Sequence, residues 1–253
     1  MLTFNKDCGG RKIARIKGGK LDGEYLFLNT NSKMDGDKKE VMLKDGILIP
    51  LPNKEVVEKI YISAPSGAGK STWAGNYMKE YKKMFKDNDI YVFSSIEKDK
   101  VLDRNEPIRI TLDEDLIQDP INPAEISDSL AVFDDTDTIQ NARLKNAVAL
   151  FRDWLLEQGR HFDIRMLITS HLLSDYKHTR RILNEATAVV VFPKSGSGTY
   201  NIKRFLQVYC GFDRTQIKKF LNLDSRWVAV YRSYPQFVLY SKGAYLPEDE
   251  DFD

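Results

Sequence analysis

The chain has 253 residues, enough to bury a core without disulfide or metal staples, and 38 Lys and Arg against 37 Asp and Glu leave a net charge of +1. Cys8 and Cys210 lie far apart with no His or Cys at ligand spacing, which suggests neither a zinc site nor a disulfide framework and makes reduced, intracellular thiols the expectation. Near-neutrality excludes a global basic field, residues 1–7 hold no apolar core of signal-peptide length, and no run approaches the roughly 18–20 apolar residues of a membrane span.

Residues 1–55 read as a small β-rich appendage. Strands are expected at 12–16 and 24–28, joined by Gly18-Gly19 and Asp22-Gly23 turns, and at 46–52, where prolines limit the strand to an edge or an end. The basic cluster Lys6, Arg11, Lys12, Arg15, Lys17 and Lys20 could touch DNA phosphates, although a solvated strand face is the simpler reading. Residues 29–40 are polar and expected to be mobile.

At Lys59 the pattern becomes alternating strand and helix, which predicts an α/β fold with a parallel sheet covered on both faces. Strands are expected at 60–63, 90–93, 130–133, 166–169 and 188–192. The first ends in Ala64-Pro65-Ser66-Gly67-Ala68-Gly69, then Lys70-Ser71-Thr72 opens a helix running to about Phe85. Strand, small-residue loop and helix in that order make a phosphate-binding P-loop. Gly67 and Gly69 let consecutive N–H groups turn inward, Lys70 reaches the β- and γ-phosphates, and the Ser71 hydroxyl can ligate Mg²⁺. The first motif position is Ala64 rather than Gly.

The strand at 130–133 runs into Asp134 and Asp135, 64 positions beyond Lys70 (134 minus 70). Asp134 is assigned to the metal and Asp135 to polarising the attacking water. Apolar residues at three- and four-residue steps predict a helix over 138–158, ended by Gly159. Strand 166–169 is expected to insert between the first and third strands. The sheet is then mainly parallel and five-stranded in the order 5-1-4-3-2, and the fourth strand ends facing the γ-phosphate. His171 is the candidate sensor there, beside Ser170. Arg160 is the candidate arginine finger, with Arg165, Arg180 and Arg181 as rivals. Residues 98–129 give no clear pattern.

Residues 195–253 break the rhythm: a flexible joint at 195–198, a helix capped by Asp213 with Gln216 as capping-box partner, and a β-hairpin over 226–240. Glu248, Asp249, Glu250, Asp251 and Asp253 form an acidic, solvated tail. Three segments are therefore expected, 1–55, 56–194 and 195–253.

These segments resemble the FtsK–HerA superfamily of DNA-pumping ATPases, and within it the genome-packaging ATPases of large double-stranded DNA viruses and virophages. The residues carrying the resemblance are Ala64-Pro65-Ser66-Gly67-Ala68-Gly69-Lys70-Ser71, Val132-Phe133-Asp134-Asp135, and Gln158-Gly159-Arg160-His161 leading into Leu167-Ile168-Thr169-Ser170-His171. Ser225-Arg226-Trp227-Val228 and Tyr234-Pro235 extend it into the tail; residues 1–55 have no counterpart. The resemblance implies ATP and Mg²⁺ as cofactors and a homo-oligomeric ring of five or six subunits around double-stranded DNA. It also implies Arg160 reaching the neighbour's nucleotide, a capsid or virion membrane protein as partner, and a host cytoplasm, viral factory or virion setting. The absence of Asn-Lys-x-Asp after the loop separately favours ATP over GTP. The alternative is a P-loop nucleotide or small-molecule kinase, with Lys177-His178-Thr179-Arg180-Arg181 as its lid.

Overall fold

The computed structural model describes residues 1–29, 38–175, 179–195 and 198–247. The chain forms two compact units, 54–189 and a second made of 1–53 together with 190–253. The terminal segments, expected as separate appendages, thus share one unit. Among the described residues no helix is long and apolar enough to cross a membrane.

In chain order the first segment contributes β1 (Leu2–Thr3), β2 (Arg11–Lys17), β3 (Tyr25–Leu28), β4 (Glu40–Met42) and β5 (Ile47–Pro50). The next unit holds β6 (Lys59–Ser63), α1 (Lys70–Met84), β7 (Ile90–Ser94), β8 (Ile108–Ile110), α2 (Asp115–Gln118), β9 (Leu130–Asp134), α3 (Ala142–Gln158), β10 (Arg165–Ser170) and α4 (Arg180–Glu185). β11 (Ala188–Val191) follows, then α5 (Thr199–Cys210), α6 (Arg214–Leu221), β12 (Val228–Tyr231), β13 (Phe237–Tyr240) and β14 (Gly243–Tyr245).

In the unit 54–189 the strands hydrogen-bond in the order β11, β6, β10, β9, β7, β8. The expected count of five is therefore too low. Three-residue β8 pairs in parallel with β7 (Val92 opposite Arg109) inside a stretch too acidic and broken to read as a strand. β6, β9 and β10 are buried at every position, as strands covered on both faces must be. Phe93 and Phe133 stack at 4.6 Å, and Phe151 of α3 closes over both. Helix α3 begins later than the expected 138, because the Asn141 side chain accepts from the Arg143 and Leu144 N–H groups and caps it there. Gly159 does not stop the helix sharply; the backbone tightens into a 3₁₀ turn over Gly159–Phe162.

In the unit of 1–53 and 190–253, β1, β3, β2 and β5 form an antiparallel sheet. The hairpin of β12 and β13 is buried at all four positions of each strand rather than alternating. Asp213 and Gln216 make the full capping box of α6. A second helix there, α5, goes beyond the single helix expected. β14 pairs β13 on one side and β4 on the other, with Gly243 opposite Met42. That pairing joins the two ends of the sequence, and no short-range pattern could announce it. A Cβ on Gly243 would lie 2.3 Å from the Val41 carbonyl oxygen, so only glycine fits. Gly243→Ala is expected to destabilise the protein by about 1–3 kcal/mol, read as a fall of several degrees in the midpoint of thermal unfolding. An unchanged midpoint would show that β4 and β14 do not pair in this register.

Candidate nucleotide site

Four parallel strands end level with one another. Ser63 of β6 lies opposite Ser170 of β10, and Ser94 of β7 opposite Asp134 of β9, with Ile168 paired to Phe133 between them. From this carboxyl edge leave the segments expected to carry chemistry: the loop after β6, Asp135 after β9 and His171 after β10.

The loop is fastened to β10 by the Ala64 N–H, which donates to the Ser170 carbonyl at 3.2 Å. Ala64 is buried, so its methyl group fits where the motif usually has glycine. Pro65 and Ser66 continue the loop, and Pro65 O accepts from the Ala68 N–H at 3.3 Å. Gly67 (φ 73°) and Gly69 (φ 117°) take left-handed backbone that a side chain would strain. Gly69 caps α1, whose first turn carries Lys70, Ser71 and Thr72. The predicted nucleotide-binding residues thus form one turn directed into a helix N-terminus.

Lys70 is only 6% exposed and its charge is fully engaged. Nζ donates to Ala64 O at 3.0 Å, contacts His171 Nδ1 at 3.1 Å and lies 3.4 Å from Asp135 Oδ1. An ammonium group has no acceptor, so Nδ1 must accept, and the imidazole proton sits on Nε2. Nε2 in turn faces Asp135 Oδ2 at 3.2 Å. Lys70, His171 and Asp135 close a triangle, which puts the predicted sensor in direct contact with the P-loop lysine.

Thr169 holds the acids together, and sequence reasoning missed it. Its Oγ1 accepts from the Asp135 N–H at 2.9 Å and lies 2.9 Å from Asp134 Oδ1 and 3.1 Å from Asp135 Oδ1. The available signal was a hydroxyl in an otherwise apolar strand, Met166-Leu167-Ile168-Thr169. Asp135 itself sits at φ 45°, ψ 38°, a left-handed conformation that breaks β9 and swings its carboxylate toward Lys70. Ser94, one residue past the predicted end of its strand, is 3.5 Å from Asp134 Oδ2.

Burial pushes the Asp134 carboxyl above the usual carboxylate range. The charges of Asp135 and Asp99 add to the rise, while the Thr169 hydroxyl and Lys70 oppose it. A cation would relieve that cost, and Asp134 with Ser71 fits the one-carboxylate, one-hydroxyl set a phosphate-bound Mg²⁺ needs. Among the described residues no group of three or more His, Cys, Asp or Glu could hold a metal alone, so the phosphates would have to complete such a site.

Two predicted residues stand elsewhere. Ser170 turns away from the loop and donates to Asp137 Oδ2 at 2.9 Å. Arg160 is exposed in the turn before β10, at the opposite end of that strand from His171. Six residues rising about 3.3 Å each separate it from its own P-loop by ~20 Å. Of the rivals, Arg165 stacks over the Phe85 ring at 4.3 Å and Arg181 pairs with Asp153 and Glu157. A cavity of about 430 Å³ between α2 and α3 is lined by Phe93, Leu116, Ile117, Phe151 and Trp154 and lacks phosphate-binding groups. Lys177 and His178 of the candidate kinase lid lie outside the described residues.

No protein-family model matches the chain. The DNA-packaging ATPase B204 of Sulfolobus turreted icosahedral virus superposes with a TM-score of 0.50 at 11% identity, covering 76% of this chain and 98% of that one. The chain is also 41% identical over 245 residues to uncharacterized protein V3 of Sputnik virophage, covering 96% of this chain and 97% of that protein. Sheet, loop and helix make an α/β fold of the P-loop type, the fold this chain shares with B204. The chain belongs to the same family as the virophage V3 protein.

Asp134→Asn removes a buried charge. A carboxyl whose folded pKa is raised weakens the fold once pH passes its ordinary value of 3.8, and fully so above the raised one. The amide is therefore expected to raise the thermal midpoint of the nucleotide-free protein near pH 7, while turnover falls about 10–100-fold. A lowered midpoint would contradict the burial described. Thr169→Val is expected to reduce turnover by a similar factor with nucleotide affinity retained, and Thr169→Ser to restore it; equal rates in Val and Ser variants would remove Thr169 from the acid pair.

Proposed function

We propose that this protein hydrolyses ATP to drive double-stranded DNA into a viral capsid, working as a homo-oligomeric ring in the infected cell. The observation that carries the ATPase reading is the Lys70–His171–Asp135 triangle above a P-loop, with Thr169 tying Asp135 to Asp134. The B204 relative, described as a DNA-packaging ATPase, supports the packaging reading.

Each side chain then has a task. The N–H groups from Ala64 to Thr72 cradle the phosphates, and Lys70 exchanges its carboxylate partner for phosphate oxygens. Asp134 and Ser71 would hold Mg²⁺, which would supply positive charge against the phosphates. Release of Lys70 from Asp135 frees that carboxylate to orient and deprotonate a water. His171, bonded to both, registers whether the lysine has been drawn away. Arg160 is too far to act on its own nucleotide, so it serves a neighbouring subunit's, neutralising charge that develops in the transition state.

The kinase alternative needs free arginines in a lid. Arg181 is held by Asp153 at 3.2 Å and Glu157 at 3.3 Å, which disfavours it.

ATP hydrolysis is expected to rise with double-stranded DNA and with assembly, measured together with oligomer mass. Arg160→Ala is expected to cut turnover at least 10³-fold while nucleotide binding persists. Mixing it with Lys70→Ala, which lacks phosphate binding but keeps Arg160, should restore part of the activity. Full activity in an isolated monomer, indifferent to DNA, would reject the motor reading.

A further inference from the structure

The chain is nearly neutral, yet its charge is not evenly spread. Residues 190–253 hold nine Lys and Arg and seven Asp and Glu, but five of those acids lie in the terminal run 248–253, so residues 190–247 carry a net of +7 (nine minus two). Most of these cations have fixed local work. Lys194 pairs with Asp224, Lys219 pairs with Glu40 at 2.7 Å and lies over the Tyr245 ring, and Lys242 donates to the Gly46 carbonyl. Arg226 and Arg232 are engaged as well. Four remain, Lys203, Arg204, Arg214 and Lys218, which have no hydrogen-bond or ion-pair partner among the described residues. All four are exposed, and all four lie on α5 and α6.

The helices are built to present them. α5 buries Ile202, Phe205 and Leu206, and α6 buries Ile217 and Phe220. On α5, Tyr200, Lys203, Arg204 and Gln207 recur at three- and four-residue steps and so share the opposite, solvent face. On α6, Arg214 and Lys218 stand one turn apart. Neither helix contains a carboxylate; the nearest in sequence, Asp213, is occupied in the capping box. An ordinary solvated helix face intersperses both signs, and this one does not.

We propose that the exposed face of α5 and α6 binds the phosphate backbone of double-stranded DNA. Cations on two helices that carry no carboxylate, and that have no acidic partner among the described residues, match the charge of a phosphate backbone, and contacts of this kind carry no base specificity. Tyr200, 72% exposed, is the single large aromatic on the α5 face, whereas single-strand grooves use several for stacking. In the other basic cluster, Lys12 of β2 lies 4.2 Å over the Tyr25 ring, Arg11 of β2 lies over the Phe237 ring, and Lys6, ahead of β2, pairs with Glu24. This inference rests on the DNA-motor reading and adds to it the surface that holds the DNA.

The test uses the full-length protein with a fluorescent duplex of about 30 base pairs, a single strand of the same length, and phosphatidylserine vesicles. The variant Lys203→Ala/Arg204→Ala/Arg214→Ala/Lys218→Ala is compared with Lys12→Ala/Arg15→Ala/Lys17→Ala. The first is expected to weaken duplex binding at least 10-fold and to flatten the dependence of log affinity on log salt by about 3, with ATP hydrolysis in the absence of DNA and the thermal midpoint unchanged. The second is expected to stay within about twofold of the parent protein. Should the fourfold variant fold poorly, Lys203→Gln/Arg204→Gln tests the same face with fewer changes and should weaken duplex binding several-fold. Duplex binding unaffected by these changes, equal loss in the β2 variant, or sensitivity confined to single strands or vesicles would overturn the surface while leaving the motor reading intact. A parent protein that neither binds duplex nor hydrolyses ATP faster with it would overturn both.

Discussion

A buried ammonium ion sets the terms for this site. Lys70, 6% exposed, cannot stay charged away from water without partners on several sides. It finds a carbonyl in its own loop, an imidazole after β10 and a carboxylate after β9. Those three come from three different segments, so the charge is satisfied only when β10 lies between β6 and β9 with their ends level. The strand order is thus tied to the electrostatics. A one-residue slip of β10 that carried Thr169 to the place of Ser170, opposite Asp137, would bring Ile168 to the acids and leave them without a hydroxyl.

Much of this was legible in the sequence, for physical reasons. Buried parallel strands must be short and apolar, so 60–63, 130–133 and 166–169 stood out, each lying within an observed strand. The P-loop was legible because Gly67, Gly69, Lys70 and Ser71 each meet a separate demand in fixed order. Capping chemistry is equally local, which is why Asp213 and Gln216 could be paired in advance. What escaped were side-chain meetings across strands. Thr169 looked like one more β-branched strand residue, since nothing adjacent in sequence shows that its hydroxyl lies between two acids. Arg160 was visible as an arginine in a loop, but its place at the far end of β10 required the strand's direction.

The two ends of the chain were the least legible. Residues 1–55 and 195–253 read as unrelated appendages because the pairing that unites them spans some two hundred positions. β4 has three residues and β14 has three, and neither carries a strong pattern. Gly243 carries no local signal of its role, which is to let a neighbouring strand's carbonyl approach. The basic character of α5 and α6 was diluted in a net charge of +1 and emerged only when each cation was matched to a partner.

The Thr169 hydroxyl has one hydrogen and two carboxylates competing for it. Its acceptor side is committed to the Asp135 N–H, so the hydrogen can serve Asp134 or Asp135 but not both at once. Any donor or cation that satisfies Asp134 therefore releases the hydrogen to Asp135, and the reverse holds equally. Such a transfer needs only rotation about one C–O bond. The hydrogen bonding of one acid is thereby coupled to that of the other through a single hydroxyl, with the backbone standing still.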